Sequence, residues 1–272
     1  MSDFWHLYPW QVVSRSMGIN LSCRLRACDW IDADRIVAET KKVVTQFGLV
    51  GHGRYHDGGW SAIGLISHEG DPHELRWLPG KYVKTPVLTL APYLESIIDS
   101  FQCEKQRVRL MALQPGKNIY WHYDPTESID ADVNARLHIP IITNPNVQFQ
   151  ICHEDQIWRP GELWYGDFSF PHRLRNGGRA ERIHLVLDFK VSDYVTSLFP
   201  PSFLEQKERR RRARRWCQNA FDRAEHKSRT ATAEIEVYEA WRTSFRGVAK
   251  KIARRLPDAV VSRLGWRPNP PG

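Results

Sequence analysis

No stretch of the sequence approaches the roughly 18 consecutive apolar residues that a membrane span needs. The first residues, MSDFWHLYPWQVV, also lack the basic segment and apolar core of a secretory signal. The expectation is a soluble, cytoplasmic chain. Cysteine is sparse: Cys23, Cys28, Cys103, Cys152 and Cys217 are odd in number and contain no C-x-x-C pair, which argues against a disulfide framework and a thiolate zinc site. No internal repeat is evident. An excess of positive charge is missing from the first 200 residues, because residues 201–272 hold 18 Lys/Arg against 8 Asp/Glu and so carry more than the whole formal charge of +8. Basicity belongs to the tail, and a nucleic-acid reading of the rest, taken from the overall charge, is misplaced.

What is present is a chain of 272 residues, long enough to bury a sizeable core, with 11 Trp and 11 His. Apolar spacing, early Asp residues and a stop at Gly48 predict a helix over Ile31 to Phe47, and 85–101 reads as a second amphipathic helix after its prolines. Both are expected to pack outside a sheet. Trp60 to Ser67 is a plausible strand between them. From Gln106 to Lys190 the period becomes two, in eight short runs: QRVRLMALQ, NIYWHYD, ARLHIPIIT, NVQFQICHE, QIWRP, ELWYGDF, FPHRLR and ERIHLVLDFK. Turns at Pro115-Gly116, Asn144-Pro145, Pro160-Gly161 and Gly177-Gly178 separate several of them. Such spacing suggests a jelly-roll sandwich or barrel with flanking helices.

The predicted organisation is a domain over 1–200, with its β core at about 106–190, followed by a basic helical extension over 201–272. A charged helix is predicted over Glu205 to Arg229. The arginine run 209–215 reads as its solvated face. Further helices are expected over 231–245 and 246–264, and 267–272 reads as a disordered end. Val248, Ile252 and Leu256 form a stripe among Lys and Arg, a composition suited to an anionic membrane surface or an acidic partner.

The chemistry concentrates in His122-Tyr-Asp124, His172 and Arg182. Two imidazoles and one carboxylate can hold one face of an Fe(II) octahedron, leaving three positions for a bidentate 2-oxo acid and O2. An arginine downstream suits the far carboxylate of that acid. A second H-x-D, His153-Glu-Asp155, lies at an apparent turn with no strand placed to return a third ligand, so it reads as turn chemistry. In the first copy, strict alternation puts Tyr120, His122 and Asp124 on one face of a strand. Arg182 and His184 share a face of another, and Arg136 and His138 a face of a third. An inward Arg beside a metal suits a carboxylate; a structural salt bridge is the competing reading for Arg136.

The blocks LQPGKNIYWHYDP, NARLHIPIITNPNVQF, RPGELWYGDFSFPHRLRNGG and RIHLVLDF, in this order, resemble the aspartyl/asparaginyl β-hydroxylase family over roughly residues 57–190. The resemblance implies a double-stranded β-helix (jelly-roll, cupin-like) core and an Fe(II)- and 2-oxoglutarate-dependent dioxygenase. It implies iron binding by His122 and His172, 2-oxoglutarate contact by Arg182, and Arg136 and His138 near the cosubstrate carboxylate at the metal. Animal members of the family lack the carboxylate that stands here as Asp124, so the chain looks more like the bacterial members.

The leading expectation is hydroxylation of an unactivated carbon of an amino acid, free, peptidyl or carrier-bound, with release of succinate and CO2. The alternatives are the same chemistry on an acyl chain or aminolipid at the inner face of a membrane, a metal- and 2-oxoglutarate-binding sensor without turnover, and, from the tail, a nucleic-acid-associated protein. Trp60, Ser61, His68, Tyr120 and Trp164 are candidates for the substrate mouth, though aromatics on a sandwich are more often core. Two basic groups facing the reacting carbon would point to an acidic amino acid, an apolar tunnel to a lipid.

Overall fold

The computed structural model describes residues 7–53 and 55–229, with side chains through residue 225. By contacts these fall into two units, residues 20–210 and residues 7–19 with 211–229. In the smaller unit, helix α1 (Pro9–Ser16) starts where the Gln11 side chain accepts from Tyr8 N at 3.0 Å. Its Trp10 packs edge-on to Phe221 with ring centroids 5.1 Å apart, and Trp10 O accepts from Cys217 Sγ.

The larger unit begins with β1 (Ser22–Leu25) and α2 (Ala33–Phe47). Asp32 caps α2 by accepting from Asp34 N and Arg35 N, and Gly48 ends it at a φ of 70°, which a side chain would strain. Strands β2 (Val50–Gly51), β3 (Trp60–His68) and β4 (Tyr82–Lys84) follow. The helix expected over 85–101 is two pieces, a 3-10 turn at Pro86–Leu90 and α3 (Pro92–Ser100). Pro92 has no N–H to continue the first piece and serves instead to open the second. The start of α3 is met by the buried Glu39 carboxylate of α2, which accepts from Tyr93 N and Leu94 N.

Then come β5 (Lys105–Leu113), β6 (Asn118–His122), β7 (Asn134–Ile142), β8 (Val147–Ile151), β9 (Glu154–Asp155), β10 (Leu163–Gly166), β11 (His172–Asn176) and β12 (Arg182–Lys190). Seven of the eight predicted runs carry a strand of four residues or more. QIWRP does not: Ile157 is 83% exposed while Trp158 is buried, and no ladder forms there. The strand β1 is one the sequence reading missed. The unit ends with α4 (Asp193–Ser197), α5 (Pro201–Leu204) and the start of α6 (Lys207–Arg229).

All ladders are antiparallel and form two sheets, a large one in the order β1-β10-β7-β12-β5-β3-β2 with β4 also on β3, and a small one in the order β6-β11-β8-β9. This is the mainly β jelly roll that the strand spacing predicts. The large sheet uses its two faces differently. Val108, Leu110, Leu137, Ile139, Leu185 and Leu187 join Ile36 and Val43 of α2 and Ile97 and Ile98 of α3 in one apolar core, so both helices cover the sheet as expected. The alternate residues, Arg107, Arg109, Arg136, His138, His184 and Asp188, are also buried or nearly so, on the face away from that core. Charge buried among the apolar Met111 and Val186 of that face demands partners, and it marks where the site lies.

The run 209–215 departs from a purely solvated face. Arg210 is fully buried, donates to both oxygens of Asp130 at 2.7 and 2.8 Å, donates to Phe203 O, and lies 3.7 Å over the Phe203 ring. The helices expected over 231–245 and 246–264, the basic stripe and the end at 267–272 lie outside the described residues.

Candidate active site

His122 at the end of β6 and His172 at the start of β11 are direct partners across the two strands, with ring centroids 4.2 Å apart. Each ring is aimed by its own backbone: Nδ1 of His122 meets Tyr120 O at 2.8 Å and Nδ1 of His172 meets Phe170 O at 2.9 Å. A carbonyl can only accept, so Nδ1 carries the proton and Nε2 keeps its lone pair for a ligand. Burial lowers the pKa of both, that of His172 to about 3 with help from neighbouring His122, so both are neutral, as metal ligands must be. Asp124 lies two residues beyond β6, where its N–H donates to Phe168 O at 2.8 Å. The ligand atoms of His122, Asp124 and His172 lie within 4.8 Å of one another, the one such cluster among the described residues. This donor set fits a divalent iron.

The strict alternation expected of β6 does not hold. Between His172 and Leu174 the partners step from His122 to Ile119, three residues against two, so a bulge lies between Ile119 and His122. Ile119 and His122 are therefore both buried and Tyr120 is 52% exposed, off the face it was expected to share. The bulge turns the histidine inward in its place.

Asp124 is held in turn by Arg136, whose NH1 lies 2.5 Å from Asp124 Oδ2. Burial would raise the Asp124 carboxyl, but Arg136 beside it holds it below the usual range. The same guanidinium reaches Glu127 at 2.9 Å and Asp188 at 2.6 Å, so its charge is already met by three carboxylates of the protein. Arg136 thus makes the salt bridges of the competing reading, one of them to a metal-ligand candidate, while it also lines the cavity. Asp188 also takes Arg109 at 2.7 Å and Arg107 at 3.0 Å. Burial alone would raise its pKa, yet Arg136, Arg109 and Arg107 drive it far down, while burial first of all raises Glu127 to about 7.

Arg182 is the opposite case. It is 7% exposed and has no acidic partner among the described residues, and burial lowers its pKa to about 9. Its NH2 meets His184 Nδ1 at 3.1 Å, its guanidinium lies 5.5 Å over Phe149, and Nε has no partner among the described residues. His138 stands nearby, with Nδ1 3.4 Å from His184 Nδ1 and Nε2 unpaired among the described residues. A buried cation without a counter-ion is a ready anion site.

All six residues singled out from the sequence, His122, Asp124, His172, Arg136, His138 and Arg182, line one cavity of about 330 Å³ between the sheets. Trp60 lines it too; Ser61, His68, Tyr120 and Trp164 do not. His68 Nε2 lies instead beside Pro79 O, and the Trp164 indole donates to Glu162. The second H-x-D stays apart, with Asp155 accepting from Gln150 Nε2 at 2.7 Å. Residues missed in the sequence are Arg107, Arg109, Glu127 and His52 on the cavity wall, Asp188 behind it, and Tyr55, stacked 4.8 Å from His122. The arginines had a signal: two charges at i and i+2 in QRVRLMALQ, in phase with a buried strand face.

A family model described as aspartyl/asparaginyl beta-hydroxylase matches residues 31–191, more than half of the chain. The chain belongs to this family. Among curated proteins, the L-proline cis-4-hydroxylase of Rhizobium meliloti (strain 1021) is 30% identical over 128 residues, 46% of this chain and 42% of that protein. The chain thus spans less than half the length of that relative. Solved structures with a similar fold include a prolyl-4-hydroxylase from Pseudomonas putida, at 13% identity over 66% of this chain and 97% of the other, TM-score 0.41. A 2OG-Fe(II) oxygenase family oxidoreductase from Burkholderia pseudomallei matches at 14% identity over 66% and 89%, TM-score 0.43. At those scores neither bears on what this family member does.

Proposed function

We propose that the chain is an Fe(II)- and 2-oxoglutarate-dependent dioxygenase that hydroxylates an unactivated C–H bond of an amino acid and releases succinate and CO2. One observation carries the proposal: two neutral imidazoles and a carboxylate converge in a cavity that also contains a buried arginine with no acidic partner. Membership of a hydroxylase family and a proline-hydroxylating relative agree with it.

In this reading His122 and His172 present Nε2, and Asp124 presents a carboxylate oxygen while Arg136 holds Oδ2. Arg182 receives the far carboxylate of 2-oxoglutarate as a charge-assisted pair, which supplies the counter-ion it lacks. Iron held there would supply the oxidising chemistry with O2 as the oxidant: one oxygen atom would enter the C–H bond as hydroxyl and the other the succinate left when 2-oxoglutarate loses CO2. Phe149, Phe168 and Trp60 wall the cavity and keep water from the reacting carbon. His138, whose Nε2 has no partner among the described residues, lines the same cavity and is the candidate for a contact with the cosubstrate between Arg182 and the metal.

The test is succinate formation by the full chain from 2-oxoglutarate, with iron and oxygen each omitted in turn and L-proline tried first as substrate. Dependence on both supports an enzyme; binding of metal and 2-oxoglutarate with no succinate would point to a sensor. Succinate formation that survived His172→Ala would refute the site.

A further inference from the structure

A guanidinium can only donate, so the protons behind Arg182 can be placed in turn. Its NH2 lies 3.1 Å from His184 Nδ1, which must therefore offer a lone pair. Burial first, and then Arg182, keep the His184 ring neutral, so its one proton sits on Nε2. His138 Nδ1 reaches the same His184 Nδ1 at 3.4 Å. Two lone pairs facing each other would repel, whereas a proton on His138 Nδ1 makes the contact a hydrogen bond to an acceptor shared with Arg182. His138 is likewise held neutral, and with its proton spent on Nδ1 its Nε2 is a bare acceptor.

That acceptor is stranded. His138 is buried, it lines the metal cavity, and Nε2 has no partner among the described residues. The rings packed on it do not supply one: the Phe168 ring, 4.9 Å away, has no donor, and the Trp158 indole, 5.4 Å away, gives its N–H to Gln156 at 3.1 Å. A buried nitrogen of this kind is costly until a donor arrives.

2-Oxoglutarate brings no donor. Its carboxylates, ionised at neutral pH, only accept, so an acid group between Arg182 and the metal would meet the bare Nε2 lone pair. Moving the His138 proton from Nδ1 to Nε2 removes that clash but sets two Nδ1 lone pairs against each other at 3.4 Å, and His184 cannot turn its own proton to meet them without confronting Arg182. What remains is a second proton on His138. In the empty cavity it is opposed by burial and by the charges of Arg182 on β12, Arg136 on β7 and Arg109 on β5, with Asp188 of β12 in its favour; His184 is neutral, and Trp164, opposite His138 on β10, carries no charge. A doubly charged acid reverses that balance by meeting the Arg182 charge and placing another carboxylate beside the ring.

Resting on the oxygenase reading above, we propose that 2-oxoglutarate binds together with one proton from solvent, which lodges on His138 Nε2 and returns to solvent when the diacid leaves. No bond of the acid is made or broken in this step. The imidazolium then donates from both nitrogens, Nδ1 toward His184 and Nε2 toward the acid, so the stranded nitrogen is paired. His138 is thus a receptor that charges on demand, and it gives cosubstrate affinity a pH dependence that Arg182, charged throughout the neutral range, does not. Between the pKa of His138 in the empty site and in the loaded one, each unit of rising pH weakens binding about tenfold.

The proton count is read by calorimetric titration of 2-oxoglutarate into the full chain saturated with Mn(II), near neutral pH and without oxygen, in Pipes and in Tris, buffers that differ in ionisation enthalpy. The two heats are expected to differ by the uptake of about one proton per acid bound, and the affinity to fall as pH is raised from about 6 to about 8. His138→Gln, whose amide donates without charging, is expected to bind the acid within about tenfold of wild type, with the uptake and most of the pH dependence gone. Wild-type heats that give no proton uptake overturn the proposal without any variant, as does uptake undiminished in a folded His138→Gln that still binds. Failure of the loaded wild type to bind 2-oxoglutarate at all overturns the oxygenase reading, and this proposal with it.

Discussion

Replacing Arg182 with methionine should strengthen the empty protein and weaken its grip on 2-oxoglutarate, two effects of opposite sign from one side chain. Burial alone takes the Arg182 guanidinium from its usual range to about 9. A displacement of that size corresponds to roughly 5 kcal/mol set against the charged form, an upper bound because native surroundings relax. Methionine removes the charge but also the contact over Phe149 and the bond to His184, leaving a net gain of about 1–3 kcal/mol. For a domain of this size the cofactor-free melting temperature then rises by about 3–8 °C. The sign follows from linkage: a base whose folded pKa is depressed costs stability while it is charged, and that cost fades as pH rises above about 9 toward 12.5. The advantage of the variant should therefore shrink in alkali. With 2-oxoglutarate and Mn(II) present the order reverses, because the wild type gains binding energy that the variant forgoes. In succinate assays the KM for 2-oxoglutarate rises by about 10- to 100-fold. A lower melting temperature for the empty variant, or an unchanged KM, would refute the assignment of Arg182 as an uncompensated anion receptor.

His172→Ala and Asp124→Ala are expected to abolish succinate formation; metal titration should show weakened binding in both while circular dichroism keeps its β signature. Asp188→Asn leaves Arg107, Arg109 and Arg136 without their shared counter-ion and should cost about 3–5 kcal/mol in denaturant unfolding. Its effect fades in acid, since a carboxylate with a depressed pKa contributes stability above its unfolded pKa and loses it as pH falls toward the folded one. Asp130→Ala strands the fully buried Arg210 and should lower unfolding free energy by a similar amount; a change below about 1 kcal/mol would show that the Asp130 pair does not hold that helix start.

The period-two runs announce the strands of the jelly roll because one face of the large sheet is apolar and packs on α2 and α3. Where the signal is not periodic, the sequence is silent. The bulge that turns His122 inward inserts a residue without leaving a compositional mark, and QIWRP imitates a strand because Trp158 is buried against Phe149 and His138. The six candidate residues were legible since each ligand type is chemically distinctive, and all six meet in one cavity. The partners of Arg136 were not. Asp188 and Glu127 lie 52 and 9 positions from it, and only the pairing of β7 with β12 brings Asp188 directly opposite. A salt-bridge network across strands is a property of register, which a single sequence does not display.

The three metal-ligand candidates differ in how they are anchored. His122 and His172 are held by the hydrogen-bonded ladder of two adjacent strands, whereas Asp124 lies beyond the strand end, held by two backbone bonds, to Phe168 O and from Glu127 N–H, and by one arginine. The stiffness of the centre is therefore lopsided, with two rigid jaws and one hinged finger. A substitution at 124 can free a coordination position while leaving the sheet intact, whereas a change at either histidine disturbs a site built into the sheet pairing. Any redirection of the chemistry, by design or by drift, has its easiest point of entry at the hinged residue.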